Sequence, residues 1–592
     1  MRRISVYIMI AVLLPAGLEA QQTGEKIQRE VRLYNPFRPT LSEAAKKNLF
    51  PDMTDSVKVA EAIVYNVSPE AFTPPYTVSP IRPAAMLPDP LPKLYKSYVN
   101  MGIGNYFTPL GELSITSERS RTGMLAFYGR HFSSNGRVEL ENLRKVYAGY
   151  MDNDAVIYGK KFLSSSVLSG SVHFAHLTRH AYGYDTLYVD WEAEREETRL
   201  RFLRTGAEAA ITSLRADSGS LIYDFSLGYD YFRQSPDLWQ HDAVLKFDAG
   251  RSIKAFGTSS AARRAGVSYF FGNIRGSYEG SWFDKAITPN PRHIFRINPS
   301  LSKKSNEWNF RLGFTAVTET RVFAATPADD FKTRLHFYPD VSLGISVIPR
   351  FLVFNLALDG DLSSNSAPLT AEINPYVMTN GNLFRVPYTD NQIVARVSLA
   401  GSVIPSTSYR LGGSYSVSGD MIFFSNVVWD DLDFNEGVGN FFTPVASDGN
   451  LANIYSEVTT GISKRLNATL RADFYQYTLT DIDFAYNKPS FDGSLQLKYN
   501  LRDKILAGAG INATGKRKAH ITPMSLMGPP PAPRDDIELP MHINLNVSAE
   551  YRYTKILSFW LRMYNISYNR NYEWAWYPSQ RFLVLAGFSY SL

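Results

Sequence analysis

The chain has 592 residues, of which 44% are hydrophobic and 20% are charged, and its formal net charge is +6. After the N-terminal stretch no apolar run reaches the roughly 18 residues that a membrane-spanning helix needs, which argues against a helical membrane protein. The aromatic content of 14% argues against a disordered chain, and the small net charge gives no reason to expect nucleic acid as a partner. The absence of cysteine excludes disulfides, thiolate metal sites and cysteine nucleophiles.

Residues 1–20 have the three-part pattern of a secretory signal peptide. Two arginines are followed by an apolar stretch and then by a small-residue cleavage pattern that ends at Ala20. The apolar stretch is too short for a spanning anchor, and a polar flank follows it. We therefore expect export of the chain and cleavage after Ala20.

Residues 21–92 are predicted to form an extended, proline-rich periplasmic segment. Thr40 and Glu43 form a capping box, which predicts one short helix that ends before Pro51. Further along, proline recurs so often that the backbone must run extended without a sheet of its own. The segment is either a plain tether or a partner-binding segment, because extended chains can add a strand to a partner sheet. The residues that we expect to bind such a partner are Arg29, Val31, Leu33, Tyr34, Asn35 and Pro36.

Residues 93–592 alternate between apolar and polar side chains. In residues 541–553 every odd position is apolar or aromatic and every even position is polar, which predicts a strand with two different faces. Residues 243–250 and 468–474 repeat the pattern. Such strands are longer than those of soluble proteins and match the length that a tilted strand needs to cross a membrane. The polar side chains that we expect to face a barrel lumen include Lys246, Asp248, Glu550 and Arg552.

The connections between the predicted strands alternate between short and long. Short turns are predicted at residues 119–123, 164–166, 216–220, 303–307, 348–350, 404–407, 464–465, 502–504 and 554–555, and residues 251–265 form one longer connection in this series. Longer polar loops are predicted at residues 134–154, 184–197, 363–391, 419–452 and 514–540. Short turns on one rim and long loops on the other are typical of an outer-membrane barrel.

The alternation gives about 22 strands, within a range of about 18 to 22, and an even number puts both ends of the barrel on the periplasmic side. A closed barrel has no free edge, which explains how so much alternating sequence avoids aggregation. The last predicted strand, residues 582–592, carries Phe582, Phe588 and Tyr590 on one face. The predicted fold class is therefore all-β, a transmembrane antiparallel β-barrel with an extended N-terminal periplasmic segment.

Four aromatic residues near the end of the chain are predicted to belong to an interfacial belt rather than to a ligand cage, because tryptophan and tyrosine concentrate at membrane–water interfaces. They are Trp560, Trp574, Trp576 and Tyr577.

The sequence contains no motif that predicts catalysis. The nine histidines show no pair at metal-ligand spacing, and no G-x-S-x-G nucleophile motif is present. Residues 430–437 begin like a calcium loop, but their glycine comes one place late and Phe442 stands where a closing glutamate belongs. A solvated acidic loop is the better interpretation. We expect no catalytic residue, no cofactor and no metal site, and hence not an enzyme.

Several stretches resemble a known family. Residues 551–555, 564–566, 574–578 and 582–592 are similar to the C-terminal strands of TonB-dependent receptors. Residues 29–39 and 98–109 resemble receptor-like barrels of Bacteroides-type Gram-negative bacteria. The resemblance implies a 22-stranded receptor barrel in the cell outer membrane.

One departure from this family concerns the plug domain. A TonB-dependent receptor fills its lumen with a globular plug that is far longer than residues 21–92, so we expect this chain to lack a full plug domain and do not expect energy-coupled uptake. An unplugged barrel of this size would leak. Its lumen must then be closed by its own loops and N-terminal segment, or by a second protein.

The resulting functional hypothesis is a receptor-like barrel that mediates solute passage or uptake across the outer membrane with partner proteins. The alternative is a scaffold barrel that anchors a periplasmic or surface envelope complex. The expected partners are outer-membrane lipid and lipopolysaccharide, the barrel-insertion machinery during biogenesis, and a periplasmic or surface partner protein, with no nucleic acid.

Overall fold

A computed structural model describes residues 95–117, 120–186, 195–214, 220–235, 238–254, 269–283, 291–322, 331–377, 388–429, 441–524 and 534–592. The predictions for the signal peptide, for the capping box at Thr40, for the proline-rich segment and for the partner-binding residues 29–36 lie outside these residues. So does the calcium-like stretch at residues 430–437. These predictions remain predictions.

The described chain forms one closed barrel of 22 antiparallel strands, which confirms the predicted fold class. Each strand pairs with its neighbours in sequence, and the first pairs with the last, with Met101 opposite Phe588. The strands are β1 (Ser97–Gly104), β2 (Thr108–Thr116), β3 (Gly123–Ser134), β4 (Tyr150–Phe162), β5 (Ser166–His180), β6 (Arg199–Ser213), β7 (Ile222–Ser235), β8 (Leu238–Lys254), β9 (Tyr269–Phe283), β10 (Arg292–Lys304), β11 (Trp308–Val322), β12 (Phe331–Ile348), β13 (Leu352–Ser364), β14 (Tyr388–Ile404), β15 (Thr407–Trp429), β16 (Phe441–Gly461), β17 (Leu466–Leu479), β18 (Phe491–Leu501), β19 (Ile505–Thr514), β20 (His542–Arg552), β21 (Leu557–Tyr564) and β22 (Leu583–Ser591).

The strands have the two faces that the alternation predicts. On β7, Phe225, Leu227 and Tyr229 are all about half exposed, whereas Asp224 and Asp230 on the other face are hydrogen-bonded. A row of exposed apolar side chains suits contact with lipid, because it would be unfavourable against water.

Polar side chains contact one another across strands that are not neighbours. Arg275 on β9 reaches Asp340 on β12 at 3.4 Å, and Arg296 on β10 reaches Asp361 on β13 at 3.0 Å. Strands three places apart are about 14 Å apart along the sheet, so such contacts form only where the wall curves inward. The face that carries these ion pairs is therefore the inner face.

The two rims differ as predicted. One rim, here called the short-turn rim, carries brief connections such as residues 305–307, 405–406 and 502–504, and both the first and the last strand end on it. The opposite rim, the long-loop rim, carries residues 135–149, 365–387, 515–541 and 565–582. One predicted loop, residues 419–452, is partly wrong, because β15 continues to Trp429 and β16 begins at Phe441. Residues 421–427, which are mostly apolar, pair with residues 441–447, so both strands extend well into the predicted loop.

The seam where the barrel closes is filled by Trp560. Its indole lies over Gly587 on β22 and Gly102 on β1, which are paired with each other, and an added Cβ at either glycine would overlap the ring. The indole N–H donates to Asn100 Oδ1 at 2.6 Å, and Asn100 in turn donates to Glu112 at 2.8 Å. Trp560 is only 6% exposed. The prediction that it belongs to a lipid-facing belt is wrong, since glycines on two neighbouring strands leave room for the ring inside.

The described residues contain one α-helix, Ala367–Ile373, in the connection between β13 and β14. Ser366 caps its N-terminus by accepting a hydrogen bond from the Leu369 backbone N–H. Pro368 sits in the first turn, where its missing amide donor costs nothing. No helix in the described part of the chain is long and apolar enough to cross a membrane.

Candidate functional site

Loops from distant parts of the ring meet in one packed cluster over the long-loop rim, which we call the cap. Its buried apolar side chains come from the β3–β4, β5–β6, β13–β14 and β21–β22 connections and from the ends of β6, β7, β8, β15 and β16; they include Leu140, Tyr182, Leu238, Tyr376, Phe424, Phe442 and Tyr577. Segments that start from opposite sides of a barrel can share one core only above its lumen. The described loops therefore cover the barrel mouth.

Tyr577 lies at the centre of the cap and is 1% exposed. Its ring stacks on Tyr376 with 3.9 Å between centroids, and it meets Tyr182 edge-on at 5.1 Å. The Tyr182 hydroxyl donates to the Pro578 carbonyl at 2.8 Å. Aromatic pairs in such geometries contribute about 0.5–1.5 kcal/mol each beyond the area they bury.

The belt prediction is also wrong for the other three aromatics. Trp574 packs against the cap, where its ring lies 5.1 Å from Phe442, and Trp576 is buried in an adjoining cluster with Val428 and Ile521. These rings line the interior of the loops instead of facing lipid. Nothing in the local sequence distinguishes the two environments, because both favour tryptophan and tyrosine.

The helix connection is fixed to the barrel wall at its start and end. The Ala367 N–H donates to Gln240 Oε1 at 2.9 Å, and the buried Gln240 side chain donates to Asp242 at 2.7 Å. At the other end the Phe442 N–H donates to the Tyr376 carbonyl at 3.1 Å. Because β8 and β16 lie well apart on the ring, this connection spans part of the mouth.

The β19–β20 connection adds a second strap. Its residues Ile521–Met524 pair in parallel with the end of β15. Arg517 donates to the Glu573 carbonyl at 2.7 Å, and Arg534 forms an ion pair of 3.2 Å with Asp185 of the β5–β6 connection. These contacts join the last third of the chain to the first.

Beneath the cap lies a cavity of about 830 Å³, which we call the vestibule. Its wall is formed by inward-facing residues at the ends of β4 to β7, such as Tyr150, Arg179, Phe202 and Phe232, and its roof by the helix connection and the β21–β22 connection. This volume lies within the range of about 300–1,000 Å³ that is usual for small-molecule sites.

The vestibule combines aromatic rings with charged side chains. Arg179 pairs with Asp152 at 2.5 Å and lies over the Tyr150 ring, and Arg204 pairs with Asp230 at 3.1 Å. Two further carboxylates line the cavity, Glu372 at the end of the helix and Glu573 beside Trp574. The arginines are thus already paired with carboxylates of the wall.

A second cavity of about 650 Å³ lies on the inner face of β7 to β13. Two of the residues predicted to face the lumen, Lys246 and Asp248, line it. The other two, Glu550 and Arg552, lie at the short-turn end of β20 and contact each other at 3.4 Å. The structure brings the first pair together with the inner ion pairs but keeps the second pair apart from them. The lumen-facing role of all four stays a proposal.

The ion pairs of this second cavity brace the wall. Arg296 donates to Glu279 at 2.6 Å and to the Leu362 carbonyl at 2.6 Å, in addition to its contact with Asp361. Asp340 accepts from Arg311 at 2.9 Å and from Asn298 at 3.0 Å. Arg275 and Arg296 therefore tie together strands that share no backbone hydrogen bond.

Replacing Arg296 by methionine is expected to destabilise the barrel by roughly 2–4 kcal/mol, because Glu279 and Asp361 lose their shared cation in a half-buried setting. Stability is measured as the urea concentration at which half of the protein has lost the gel band of the folded barrel, the band that shifts on heating. Arg396→Met is the matched control, because it makes the same replacement in another ion pair. Arg396 pairs with a single carboxylate, that of Asp359, and its side chain is 48% exposed. It should change stability by less than about 1 kcal/mol. Equal losses for both variants would contradict the bracing role.

The cap should weaken at high pH. Burial raises the pKa of Tyr182, Tyr376 and Tyr577 above the ordinary tyrosine value. A raised pKa in the folded state means that the folded cap favours the neutral phenol. The three neutral phenols therefore stabilise the folded cap fully below about pH 10, and this contribution is lost as the pH rises above that value. We expect channel current to be absent below about pH 10 and to appear as the pH rises above that value. A variant with phenylalanine at all three positions should lose this transition, and alkaline opening that persists in it would contradict the assignment.

No protein-family model matches the chain, and no curated protein matches it. Among solved structures the chain is similar to the ferric-catecholate import receptor Fiu of E. coli K12, with 9% identity, a TM-score of 0.58, and coverage of 84% of this chain and 82% of that one. It is similar to the pyoverdine outer membrane receptor FpvA of Pseudomonas aeruginosa PAO1, with 10% identity, a TM-score of 0.59, and coverage of 85% and 79%. It is also similar to the copper transporter OprC, with 10% identity, a TM-score of 0.60, and coverage of 85% and 82%. At these identities the likeness shows a shared fold, a closed barrel of the outer-membrane receptor type.

Proposed function

We propose that the protein is an outer-membrane receptor barrel that captures a solute in the vestibule and passes it through the lumen when the cap opens. The observation that carries this proposal is the vestibule itself, a cavity of about 830 Å³ that lies between the inner wall of the barrel and loops of the cap. A barrel that served only as an anchor would need no such cavity. The import receptors and the transporter with the same fold add support.

The finer parts of the proposal follow from the sequence. The exposed apolar rows on the outer face suit outer-membrane lipid, and the long-loop rim then faces lipopolysaccharide. Lys246 and Asp248 would line the path below the vestibule, and Glu550 and Arg552 its exit. Residues 29–36 would bind a periplasmic partner, after cleavage of the signal peptide at Ala20. The cap would close the mouth of the lumen.

The test is to lock the cap. Val377 and Phe442 are partners in an isolated parallel bridge, a spacing that suits a disulfide, and the chain has no cysteine that could compete. The double variant Val377→Cys/Phe442→Cys should take up or bind solutes when reduced and should fail to do so when oxidised. The same protein thus serves as its own control. Equal solute entry in both redox states would refute capture beneath a moving cap.

Deleting residues 21–92 separates transport from the scaffold alternative. For a transporter, the deletion should leave an inserted barrel whose conductance or solute uptake has changed. For a scaffold, it should leave conductance unchanged and remove a partner from the purified complex.

A further inference from the structure

We propose that the vestibule selects solutes that carry a cationic nitrogen, an alkylammonium or guanidinium group, next to an apolar or aromatic part. This inference rests on the proposed capture function and specifies the class of ligand. It follows from the charge balance of the cavity, from the position of its two remaining carboxylates and from the rings around them.

The arginines of the vestibule wall already have carboxylate partners. Arg179 and Arg204 are paired with Asp152 and Asp230, and Arg581 lies 3.5 Å from Glu139, which it shares with Arg570. Among the wall carboxylates, Asp154 faces Arg130 at 3.6 Å. An anionic ligand would therefore have to compete with carboxylates that are held in place by the barrel.

Glu372 and Glu573 are different. Both line the cavity, and within the described part of the chain neither carboxylate has an ion-pair or hydrogen-bond partner. The nearby Arg517 guanidinium donates to the backbone carbonyl of Glu573 and not to its side chain. Glu372 stands in the last turn of the helix, which contains no basic residue, so the negative end of the helix dipole adds to its charge. The roof of the vestibule therefore carries two exposed carboxylates that no side chain of the described chain pairs with.

Aromatic rings accompany these two carboxylates. Trp574 follows Glu573 directly, and Tyr376 lies four residues beyond Glu372, while Phe202, Phe232 and Tyr150 form the facing wall. An alkylammonium or guanidinium group is attracted both by a carboxylate and by the face of an aromatic ring. The wall already shows this chemistry, since the Arg179 guanidinium lies 5.8 Å from the centre of the Tyr150 ring.

The experiment measures binding of three tripeptides of similar size to the purified full-length protein by isothermal titration calorimetry. The probes are Lys-Tyr-Lys, Gln-Tyr-Gln and Glu-Tyr-Glu, each with an amidated C-terminus and an acetylated N-terminus. We expect Lys-Tyr-Lys to bind at least tenfold more tightly than Gln-Tyr-Gln, and Glu-Tyr-Glu not to bind. Glu372→Gln and Glu573→Gln should each weaken Lys-Tyr-Lys binding roughly tenfold, the loss of about one charge-assisted hydrogen bond. Binding of Gln-Tyr-Gln should change less than threefold.

Glu208→Gln is the matched control. Glu208 lies on the same face of β6 as Phe202 and Arg204, but outside the vestibule, so the variant removes an equal charge without changing the cavity. It should bind Lys-Tyr-Lys as the wild type does. Equal weakening in Glu208→Gln would mean that a general negative potential, and not the vestibule, selects the peptide.

The outcomes separate this inference from the proposed function. If all three peptides bind equally, or if Glu-Tyr-Glu binds best, cation selection is refuted while capture of a solute stands. If no peptide binds, cation selection is refuted. The redox comparison of the Val377→Cys/Phe442→Cys variant, which needs no cationic probe, then decides whether capture also fails.

Discussion

Replacing Tyr577 by alanine is expected to turn a silent barrel into a conducting one. The wild-type mouth is covered by a cap whose central ring, Tyr577, contacts residues of two other connections and of β16. Truncating a fully buried aromatic side chain costs about 3–5 kcal/mol. That loss falls on packing between loops, which have few backbone hydrogen bonds to hold them once the core is disrupted. In a planar bilayer we expect at least a tenfold increase in mean current over the wild type.

The control is a change of the same kind on the same rim but outside the cap. Phe107, in the turn between β1 and β2, is 67% exposed and belongs to no buried cluster of the described chain. Phe107→Ala should stay silent. Measuring both variants with and without residues 21–92 shows how much of the closure the N-terminal segment supplies. A current that rises only when residues 21–92 are deleted would contradict closure by the cap.

The second large effect is expected at the seam. Trp560→Ala should cost about 3–5 kcal/mol, because it empties the space over Gly102 and Gly587 and leaves Asn100 without its donor. Gly102→Ala should also destabilise the barrel, by about 1–3 kcal/mol, since its Cβ would overlap the indole. Both values can be read from the urea midpoint of the heat-modifiable band.

Combining the variants distinguishes steric overlap from other causes. In Gly102→Ala/Trp560→Ala the overlap with the ring is gone and only a tight contact with the Ala586 carbonyl is left, so the double variant should be about as stable as Trp560→Ala alone. Gly587→Ala should not be rescued in this way, because its Cβ would also overlap the backbone carbonyl of Met101. Strictly additive losses for Gly102 and Trp560 would show that the ring does not fill the seam.

The strands and turns of this barrel could be predicted from the sequence because each depends on local information. The period-two pattern of residues 541–553 reports which face is apolar, and β20 is found at His542–Arg552. A short connection can only join two strands that are neighbours in the sheet. All nine predicted short turns lie on the short-turn rim. The strand count follows once these two signals agree.

The cap and the vestibule could not be predicted in this way. Tyr182, Tyr376 and Tyr577 are separated by hundreds of residues, and no local pattern relates them. A tryptophan or tyrosine suits lipid, a loop core or a seam equally well, and the prediction of an interfacial belt is wrong for all four aromatics. The connection from β13 to β14 gave one usable signal, since Ser366 and Pro368 are typical of a helix start, and a helix is unusual in a barrel loop.

The order of assembly follows from how the cap is composed. Tyr577 belongs to the last connection, and the ion pair between Arg534 and Asp185 joins residues 349 positions apart. Contacts of such sequence separation form late, because the intervening chain must first be placed. The cap therefore cannot form until β21 and β22 have entered the membrane next to β1. A chain that stops before its last hairpin would leave both the barrel edge and the cap open, and it should therefore fail to accumulate as a folded barrel in cells.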